Sequence, residues 1–342
     1  MADLRIEVYW TGSVTGSAVK VLVVGCGSIG RRHLANILSL GGHEVSAVDI
    51  NPAAVQHVVQ RHGIAGGADL DAALRAEPDC VFVTTPPALH LSPALASARA
   101  GCDFFVEKPL SHSMEGVKEL LAEVEERRLV TMVGCNMRFH PNIAFMKRLL
   151  EEGRLGKIYS VHAEGSFYLP RWRPGIDYRL NYGARRDLGG GCLLDSIHDL
   201  DYLRWLLGEV AEVQCQAGKV SSLEIDTEDL ALILVRFESG ALGSIHLDYL
   251  QHAFNRHCKL VGERGALTWD MNEALVRFWD NETGAWRVVH RAPEGYDVNQ
   301  MYLDEIRTFF AAVETRTVPM SNAHEAARVL ELTLQCKELA GR

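Results

Sequence analysis

The sequence predicts a two-domain chain: a doubly wound α/β domain followed by a domain with a large, open, mostly antiparallel sheet flanked by helices. Two observations predict this fold class. Short apolar runs alternate with helical patterns in the first part of the chain, and closely spaced strand-like runs fill much of the rest. Alternation is typical of a parallel sheet covered on both faces, whereas closely spaced strands favour antiparallel pairing. A chain of 342 residues is long enough for two such cores.

The first domain is predicted over residues 19–136, after an N-terminal extension at residues 1–18. One crossover helix is predicted over Ser113–Arg128, because its apolar residues share a face and its charged residues lie opposite. Apolar runs before and after it have the length and composition of buried strands. These runs are Val21–Val24, Val45–Val48, Cys80–Thr84, Phe104–Val106 and Val130–Val133.

The second domain is predicted over residues 137–342 and is assigned to substrate binding and oligomerisation. It opens with a helix at Ile143–Glu152, a strand at Ile158–Phe167 and a long arginine-rich loop at Tyr168–Leu188. A helix follows, and two amphipathic helices at about Asn299–Val313 and Ala323–Leu339 close the chain. Strand composition between turn signals marks Val210–Val220, Leu230–Phe237, Ala241–Leu250, His257–Val261, Ala266–Asp270, Ala274–Trp279 and Trp286–His290.

Composition excludes several classes of protein. A net charge of -9 and a pI near 5.9 argue against a nucleic-acid binder, which normally carries a basic excess. The eight cysteines form no Cys-x-x-Cys pair, so we expect neither a disulfide framework nor a bound metal. A reducing, cytoplasmic location fits this cysteine usage best. No run has the length and apolarity of a membrane span.

A glycine-rich turn follows the first apolar run. Gly25 allows the tight turn between strand and helix, Gly27 lets the backbone approach a pyrophosphate, and Gly30 lets the helix pack closely on the strand. Ser28 and Ile29 lie between these glycines, where free N–H groups at a helix N-terminus bind phosphate. The pattern predicts a dinucleotide-binding site.

Asp49 ends the second apolar run, about twenty residues beyond the last glycine of the turn. A carboxylate at this point accepts hydrogen bonds from both ribose hydroxyls and repels a 2′-phosphate, so NAD is favoured over NADP. Arg31 and Arg32 leave NADP open, although residues in the first helical turn are commonly just solvated.

Five groups of residues together resemble the glucose-fructose oxidoreductase and inositol dehydrogenase family, written Gfo/Idh/MocA, over essentially everything after residue 18. The resemblance implies an NAD- or NADP-dependent oxidoreductase that acts on a hydroxyl or carbonyl of a sugar, cyclitol or related polyol. The groups are the glycine loop at Gly25–Gly30, Thr84-Thr85-Pro86-Pro87 with His90, Glu107-Lys108-Pro109, Asn136-x-Arg138-Phe139, and Gly189-Gly190-Gly191 leading to Asp195 and His198.

Lys108 is the first predicted catalytic residue. It follows the strand Phe104–Val106, at the edge where a doubly wound fold builds its site, and an ammonium there can stabilise negative charge on a reacting oxygen. Without the resemblance, the residues favour a solvated surface lysine paired with Glu107, because most lysines are exposed. The resemblance favours the catalytic role. The matching groups also supply the remaining predicted cofactor-binding residues, namely Thr84, Pro86, His90, Glu107, Lys108, Asn136 and Arg138.

Asp195 and His198 are the other predicted catalytic residues. With Asp199 and Tyr202 they form a polar stripe at helical spacing, so His198 could exchange the hydroxyl proton while Asp195 orients it or the substrate. Many family members place the histidine four residues after the aspartate, whereas here the gap is three, and Asp199 is the reserve candidate. The shorter spacing resembles a branch linked to cell-surface and nucleotide-activated sugars. The alternative is a solvated helix face.

The arginine-rich loop supports an anionic substrate such as a phosphorylated sugar, a sugar acid or a nucleotide sugar. Guanidinium groups bind phosphate or carboxylate, and the interleaved aromatic rings can stack on sugars or bases. Pairing of these arginines with local acids such as Asp177 and Asp187 is an equal alternative. The predicted substrate-binding residues are Lys108, Arg171, Arg173, Tyr178, Arg185, Asp195 and His198.

The sequence thus predicts a sugar or polyol dehydrogenase that assembles as a homodimer or homotetramer, with no nucleic-acid or membrane partner. The runner-up is a glycoside hydrolase that retains NAD and uses a reversible oxidation to loosen the glycosidic bond. A non-catalytic NAD-binding sensor is a third reading, which the presence of Lys108, Asp195 and His198 disfavours.

Overall fold

A computed structural model of the chain describes residues 18–341. These residues pack into two compact units. The first holds the chain up to Cys135 together with Asn299–Arg328, and the second holds Asn136–Val298 with the residues from Val329 onward. The predicted extension lies, up to residue 17, outside the described residues. The functional division into 19–136 and 137–342 stays a prediction.

The first unit is built on the predicted parallel sheet. Its elements up to Cys135 are β1 (Lys20–Val24), α1 (Ser28–Leu40), β2 (Glu44–Val48), α2 (Pro52–His62), β3 (Ala65–Gly67), α3 (Leu70–Leu74), β4 (Cys80–Val83), α4 (Leu91–Arg99), β5 (Asp103–Val106), α5 (Val117–Arg127) and β6 (Thr131–Val133). All six strands are parallel, in the order β3-β2-β1-β4-β5-β6. The order reverses between β1 and β4, and a doubly wound sheet opens its ligand crevice at such a point.

Two local features differ from the sequence pattern. Strand β3 has almost no strand signal of its own and forms because its backbone pairs with β2. Helix α5 begins at Val117 rather than Ser113, because Gly116 has φ 72°, a left-handed conformation that no helix interior accepts.

The second unit is built on the predicted open sheet. Its elements are α6 (Pro141–Glu151), β7 (Ile158–Ser166), α7 (Leu169–Trp172), α8 (Cys192–Asp195), α9 (Ile197–Leu207), β8 (Val210–Gly218), β9 (Leu230–Phe237), β10 (Leu242–Asp248), β11 (Asn255–Gly262), β12 (Gly265–Asp270), β13 (Leu275–Asp280) and β14 (Ala285–Arg291). The eight strands run in the order β14-β13-β12-β11-β7-β10-β9-β8. Only β7 and β10 pair in parallel; the other neighbours are antiparallel.

The two faces of this sheet differ in exposure. Buried and exposed residues alternate strictly along β9, where Ile233 and Val235 face the core while Leu232 and Leu234 are exposed. Helices α6, α8 and α9 pack on the core face. Within the described residues, the opposite face is left open and carries both apolar and polar side chains.

The stretch after the glycine triplet forms two helices rather than the single predicted one. Helix α8 ends at Asp195, Ser196 leaves helical geometry at φ -93° and ψ 25°, and α9 begins at Ile197. Asp195 and His198 therefore lie on different helices, and helical spacing alone does not fix their relative positions.

The chain ends with α10 (Asn299–Thr315) and α11 (Ala323–Ala340), close to the predicted bounds. Helix α10 packs on the parallel sheet, where the ring centroid of Phe309 lies 5.4 Å from that of Phe82. This packing buries Glu305 completely. Within residues 18–341, no helix has the length and apolarity needed to cross a membrane.

Candidate active site

The glycine loop at the end of β1 requires glycine at two positions for steric reasons. Gly25 has φ 99°, and a Cβ there would lie 2.9 Å from the backbone of Thr84. A Cβ on Gly30 would lie 1.9 Å from the carbonyl oxygen of Gly25. The Thr84 hydroxyl donates to that same carbonyl at 2.7 Å and holds the loop against β4. The turn is therefore closely packed against Thr84 at the end of β4.

Gly27 is different, because nothing in the fold requires a glycine there. It is the exposed N-cap of α1 with φ -67°, and a Cβ would meet no atom within 4 Å. No side chain caps this helix and its first turn contains no acid, so the N–H groups at Ser28 and Ile29 face an uncapped N-terminus. Open space above an uncapped helix start fits a pyrophosphate.

Asp49 is held at the end of β2 by two backbone N–H groups. Its carboxylate accepts from Cys26 at 2.6 Å and from Asn51 at 2.8 Å. A carboxylate has about four acceptor sites, so capacity remains for ribose hydroxyls. These residues fit the adenosine half of NAD, which would contribute the hydride-accepting nicotinamide ring.

Lys108 lies at the end of β5 and is half-buried. The peptide bond to Pro109 is cis. Beneath it, the buried imidazole of His90 contacts the carbonyl oxygens of Pro109 and Thr85, each at 2.7 Å. Burial lowers the pKa of His90, so the ring is neutral and donates to one of the two carbonyls at a time. His90 therefore fixes the segment that carries Lys108 and is itself buried away from solvent.

Glu107 belongs to a buried network that sequence reasoning missed. One carboxylate oxygen lies 2.5 Å from Nε2 of His33, and the other accepts the backbone N–H of Lys108 at 3.1 Å. Burial works against its charge, but the His33 hydrogen bond and nearby positive charges lower the pKa of Glu107 overall. Glu107 is ionised and braces the backbone of Lys108.

Glu305 of α10 lies beside this network, although neither of its carboxyl oxygens makes a hydrogen bond among the described residues. Burial, and then the charge of Glu107, raise the pKa of Glu305 well above its usual range. One ligand atom each from His33, Glu107 and Glu305 lie within 4.8 Å of one another, so a second negative charge beside Glu107 is disfavoured. The sequence contains one indication of this cluster, a polar residue on an otherwise apolar helix face. These residues are His33 beside Leu34 on α1 and Glu305 among the apolar residues of α10.

In the second unit, Asp195 is half-buried and fixed by two phenols. The Tyr182 hydroxyl donates to one carboxylate oxygen, and that of Tyr249 donates to the other at 3.2 Å. Burial and the charge of Asp195 raise the pKa of Tyr249 well above its usual range, so this phenol stays a donor. Tyr249 had not been singled out in the sequence, because it comes from the end of β10, far along the chain.

The glycine triplet brings Tyr182 and α8 together. A Cβ on Gly190 would lie 2.2 Å from the carbonyl oxygen of Tyr182. Gly191 has φ 110°, and a Cβ there would lie 2.1 Å from the carboxylate of Glu228. Any larger residue would displace the loop that supplies Tyr182 to Asp195.

The polar stripe predicted after the triplet divides into two environments. His198 is half-buried on the first turn of α9, whereas Asp199 and Tyr202 are completely buried. Asp199, the reserve catalytic candidate, lies 3.1 Å from the guanidinium of Arg256. Burial raises the pKa of Asp199 despite this partner. Asp199 is thus part of a core ion pair, and His198 is the more accessible of the two.

Two predicted cofactor residues lie in the core of the second unit. Arg138 is 2% exposed and its guanidinium makes two hydrogen bonds with Asp201, at 2.8 and 2.7 Å. Asn136 is also buried, while Pro86 in the first unit is half-buried. Because the guanidinium of Arg138 is already engaged, its geometry argues for packing rather than direct contact with a cofactor.

The arginines of the arginine-rich loop differ: some pair with local acids and others do not. Arg179 pairs with Asp177 at 2.7 Å, and Arg185 pairs with Asp187 at 2.5 Å, so local pairing accounts for both. Arg173 instead stacks on Tyr182, with its guanidinium carbon 5.7 Å from the ring centroid. The last two predicted substrate residues engage local groups: Arg171 stacks on the Tyr168 ring at 5.8 Å, and the Tyr178 hydroxyl accepts the N–H of Glu224 at 3.1 Å.

Comparison with known proteins agrees with this geometry. Residues 19–135 match the oxidoreductase family with an NAD-binding Rossmann fold, and residues 143–268 match the GFO/IDH/MocA C-terminal domain. The chain belongs to the Gfo/Idh/MocA family and is an NAD-binding oxidoreductase, as the sequence predicted.

Individual relatives are distant in sequence. The chain is 26% identical to myo-inositol 2-dehydrogenase of Thermotoga maritima over 331 residues, which cover 94% of this chain and 96% of the relative. A solved levoglucosan dehydrogenase in complex with NADH superposes with a TM-score of 0.87 at 21% identity, over 95% of this chain and 97% of that one. The WlbA dehydrogenase of Bordetella pertussis, in complex with NADH and UDP-GlcNAcA, has a TM-score of 0.80 at 23% identity, with 95% and 97% covered. These two structures confirm the fold.

Proposed function

We propose that the protein is an NAD-dependent dehydrogenase that transfers hydride between nicotinamide and a hydroxyl or carbonyl carbon of a sugar, cyclitol or sugar derivative. The observation that carries the proposal lies in the first unit. The carboxyl ends of adjacent β1, β4 and β5 bring the glycine loop, Thr84 and Lys108 to one edge of the sheet. The substrate class is supported by the names of the relatives, an inositol and a levoglucosan dehydrogenase.

In this proposal Lys108 activates the reacting oxygen. Its ammonium donates a hydrogen bond to that oxygen and stabilises the negative charge that develops there. Glu107 and His90 are positioning residues, because Glu107 accepts the backbone N–H of Lys108 and His90 contacts the carbonyl oxygen of Pro109. Gly25, Gly27, Ser28, Ile29, Gly30 and Asp49 are proposed to bind the dinucleotide, with Thr84 supporting their loop.

His198 is proposed to exchange the hydroxyl proton as general acid and base, since imidazole titrates near neutral pH. Asp195 is proposed as the fixed carboxylate that orients the proton-transfer group or the substrate. Two tyrosine hydroxyls already define its position, which supports an orienting role. The assignments of Pro86, Asn136 and Arg138 to the cofactor stay predictions.

We propose an anionic or nucleotide-activated sugar as the finer substrate class. Arg173 supports it, because its guanidinium stacks on Tyr182, whose hydroxyl bonds Asp195, and no acid among the described residues forms an ion pair with Arg173. Structural likeness to a dehydrogenase whose complex contains UDP-GlcNAcA is consistent with this class.

The test follows reduced cofactor by absorbance while sugars, sugar acids, sugar phosphates and nucleotide sugars are screened with NAD and with NADP. We expect turnover with NAD on one substrate class. Lys108→Ala should lower kcat by about 100-fold or more while NAD binding is retained, because it removes stabilisation of the reacting oxygen. Lys118→Ala, an exposed lysine on α5, is the matched control and should keep full activity.

Three outcomes would count against the proposal. Glycoside cleavage without release of NADH would identify the NAD-retaining redox hydrolase. Full activity in Lys108→Ala would remove Lys108 from the chemistry, and NAD binding with no turnover on any class would favour the sensor.

We further propose that the chain self-associates through the open face of its eight-stranded sheet, at its apolar part on β9 and the start of β10. Exposed leucines on that face, at positions 232, 234 and 242, support this. We also propose a reducing, cytoplasmic setting, because the eight cysteines are buried and form no disulfide among the described residues.

A further inference from the structure

The open face of the eight-stranded sheet carries a compact group of imidazole and carboxylate side chains. Glu164 lies on the central strand β7, and the sheet register places His246 of β10 on one side of it and His257 of β11 on the other. His162 precedes Glu164 by two residues on β7 and shares its face. None of these residues has a role in the redox function proposed above.

Three of these side chains converge. One ligand atom each from His162, Glu164 and His257 all lie within 4.8 Å of one another. The carboxylate of Glu164 lies 3.9 Å from Nδ1 of His257, and the two imidazole centroids are 5.6 Å apart. Ligand atoms of this kind bind Zn²⁺ at about 2.0–2.2 Å, so the side chains would have to close around the ion.

Neighbouring polar groups contact the three side chains. The hydroxyl of Ser244 lies 2.9 Å from Nδ1 of His162, and Oδ1 of Asn255 lies 3.3 Å from Nδ1 of His257. The Gln251 amide donates to Glu164 at 2.5 Å. Outer hydrogen bonds of this kind fix ring orientation and strengthen metal ligands.

The group is accessible and contains a carboxylate. Burial acts to raise the pKa of Glu164, but hydrogen bonds from Gln251 and Asn255 and the nearby His257 and His246 lower it overall. His162 is exposed and the other two are half-buried, which leaves the group open to an ion from solvent. Lys259, paired with His162 in the register, is exposed and can extend its ammonium into water.

We propose that His162, Glu164 and His257 form a site for a divalent transition-metal ion such as Zn²⁺, with water in the fourth position. Imidazole nitrogen selects Zn²⁺, Co²⁺ or Ni²⁺ over Mg²⁺ and Ca²⁺, which prefer oxygen ligands. The proposal departs from the prediction of no metal, which rested on cysteine spacing. The sequence could not reveal this group, because His257 joins it only through pairing of β7 with β11.

The experiment uses the full chain without a polyhistidine tag, freed of metal with a chelator. Zn²⁺ and Co²⁺ are titrated by calorimetry, and Co²⁺ is also followed by its visible absorption, which reports coordination geometry. We expect one ion per chain and no competition from excess Mg²⁺. Glu164→Gln and His257→Asn should each weaken binding about tenfold or more.

His57→Asn is the matched control, because His57 is an exposed histidine on α2, and its affinity should equal that of the wild type. Circular dichroism confirms that each variant is folded. The proposal is overturned if Zn²⁺ does not bind, or if Glu164→Gln and His257→Asn bind it as tightly as the wild type. Neither result depends on whether the redox activity is found.

Discussion

At the scale of single residues, the surroundings of Lys108 are set by buried side chains. Glu107 contacts His33 and the backbone N–H of Lys108, and the carboxyl of Glu305 lies within 4.8 Å of it. Two carboxyls in one dry site cannot both ionise at low cost, so one keeps its proton. The arrangement has a measurable signature in the pH dependence of stability.

Glu305→Gln should change that pH dependence. The folded pKa of Glu305 is raised, so above the unfolded value of about 4.3 the unfolded chain binds fewer protons than the folded one. This carboxyl therefore contributes stability at acid pH that is lost as the pH rises, by at most about 1.4 kcal/mol per pH unit. Glutamine cannot ionise, so the thermal midpoint of the variant should gain on the wild type between about pH 5 and pH 8.

The control for this measurement is Glu314→Gln, an exposed carboxylate on the same helix. Its thermal midpoint should run parallel to that of the wild type across the same range. A constant difference between Glu305→Gln and the wild type would show that Glu305 is ionised in the folded protein.

Arg173→Ala tests the proposed anionic substrate at the same scale. Loss of a guanidinium that binds phosphate or carboxylate should raise KM for an anionic sugar about tenfold or more and leave kcat nearly unchanged. Arg179→Ala removes an arginine that is already paired with Asp177, so its KM should stay at the wild-type value. Equal effects of the two substitutions would argue against a specific role for Arg173.

At the scale of elements, the turn between β1 and α1 contains one glycine that folding requires and another that leaves room for a ligand. Gly30 is required by the close approach of α1 to the Gly25 carbonyl, whereas Gly27 has open space around it. The same residue type thus serves packing at one position and ligand access at the other.

Gly27→Ala should leave stability within about 0.5 kcal/mol of the wild type, because alanine adopts its backbone conformation without contact. NAD affinity should fall about tenfold or more, because the added methyl blocks approach of the pyrophosphate. Gly30→Ala should instead lower the thermal midpoint sharply. Thermal melts and NAD titrations of both variants test this. An equal loss of stability in Gly27→Ala and Gly30→Ala would contradict the separate roles of the two glycines.

At the scale of the whole molecule, one face of the eight-stranded sheet is left open by the described residues of a single chain. Its apolar part lies on β9 and the start of β10, and exposed apolar patches commonly mark sites of self-association. Symmetric pairing of one such face with its copy is the commonest route to a homodimer.

Light scattering should report a dimer or tetramer for the wild type. Leu234→Glu should shift it toward smaller species, because a charge would be buried at the interface without a partner. Val318→Glu is the control, since Val318 is 80% exposed but lies outside this sheet. A monomeric wild type, or identical behaviour of both variants, would refute association through this face.

Several features follow from local sequence and were predicted from it. The parallel sheet, the antiparallel sheet and the closing helices follow from the periodicity of apolar residues. The glycine loop and Asp49 are positioned by the strands that immediately precede them, so spacing along the chain was enough to find them. These patterns depend on residues that are neighbours both in sequence and in space.

The tertiary structure alone decided which distant groups meet. Tyr249 reaches Asp195, Glu305 reaches Glu107, and Asp201 engages Arg138, each across a long stretch of chain. The sequence pattern likewise did not indicate the break at Ser196, because the pattern continues through it. Periodicity reports which face of an element is buried, but the partner of a buried polar group is chosen by strand order and helix packing, which only the folded chain defines.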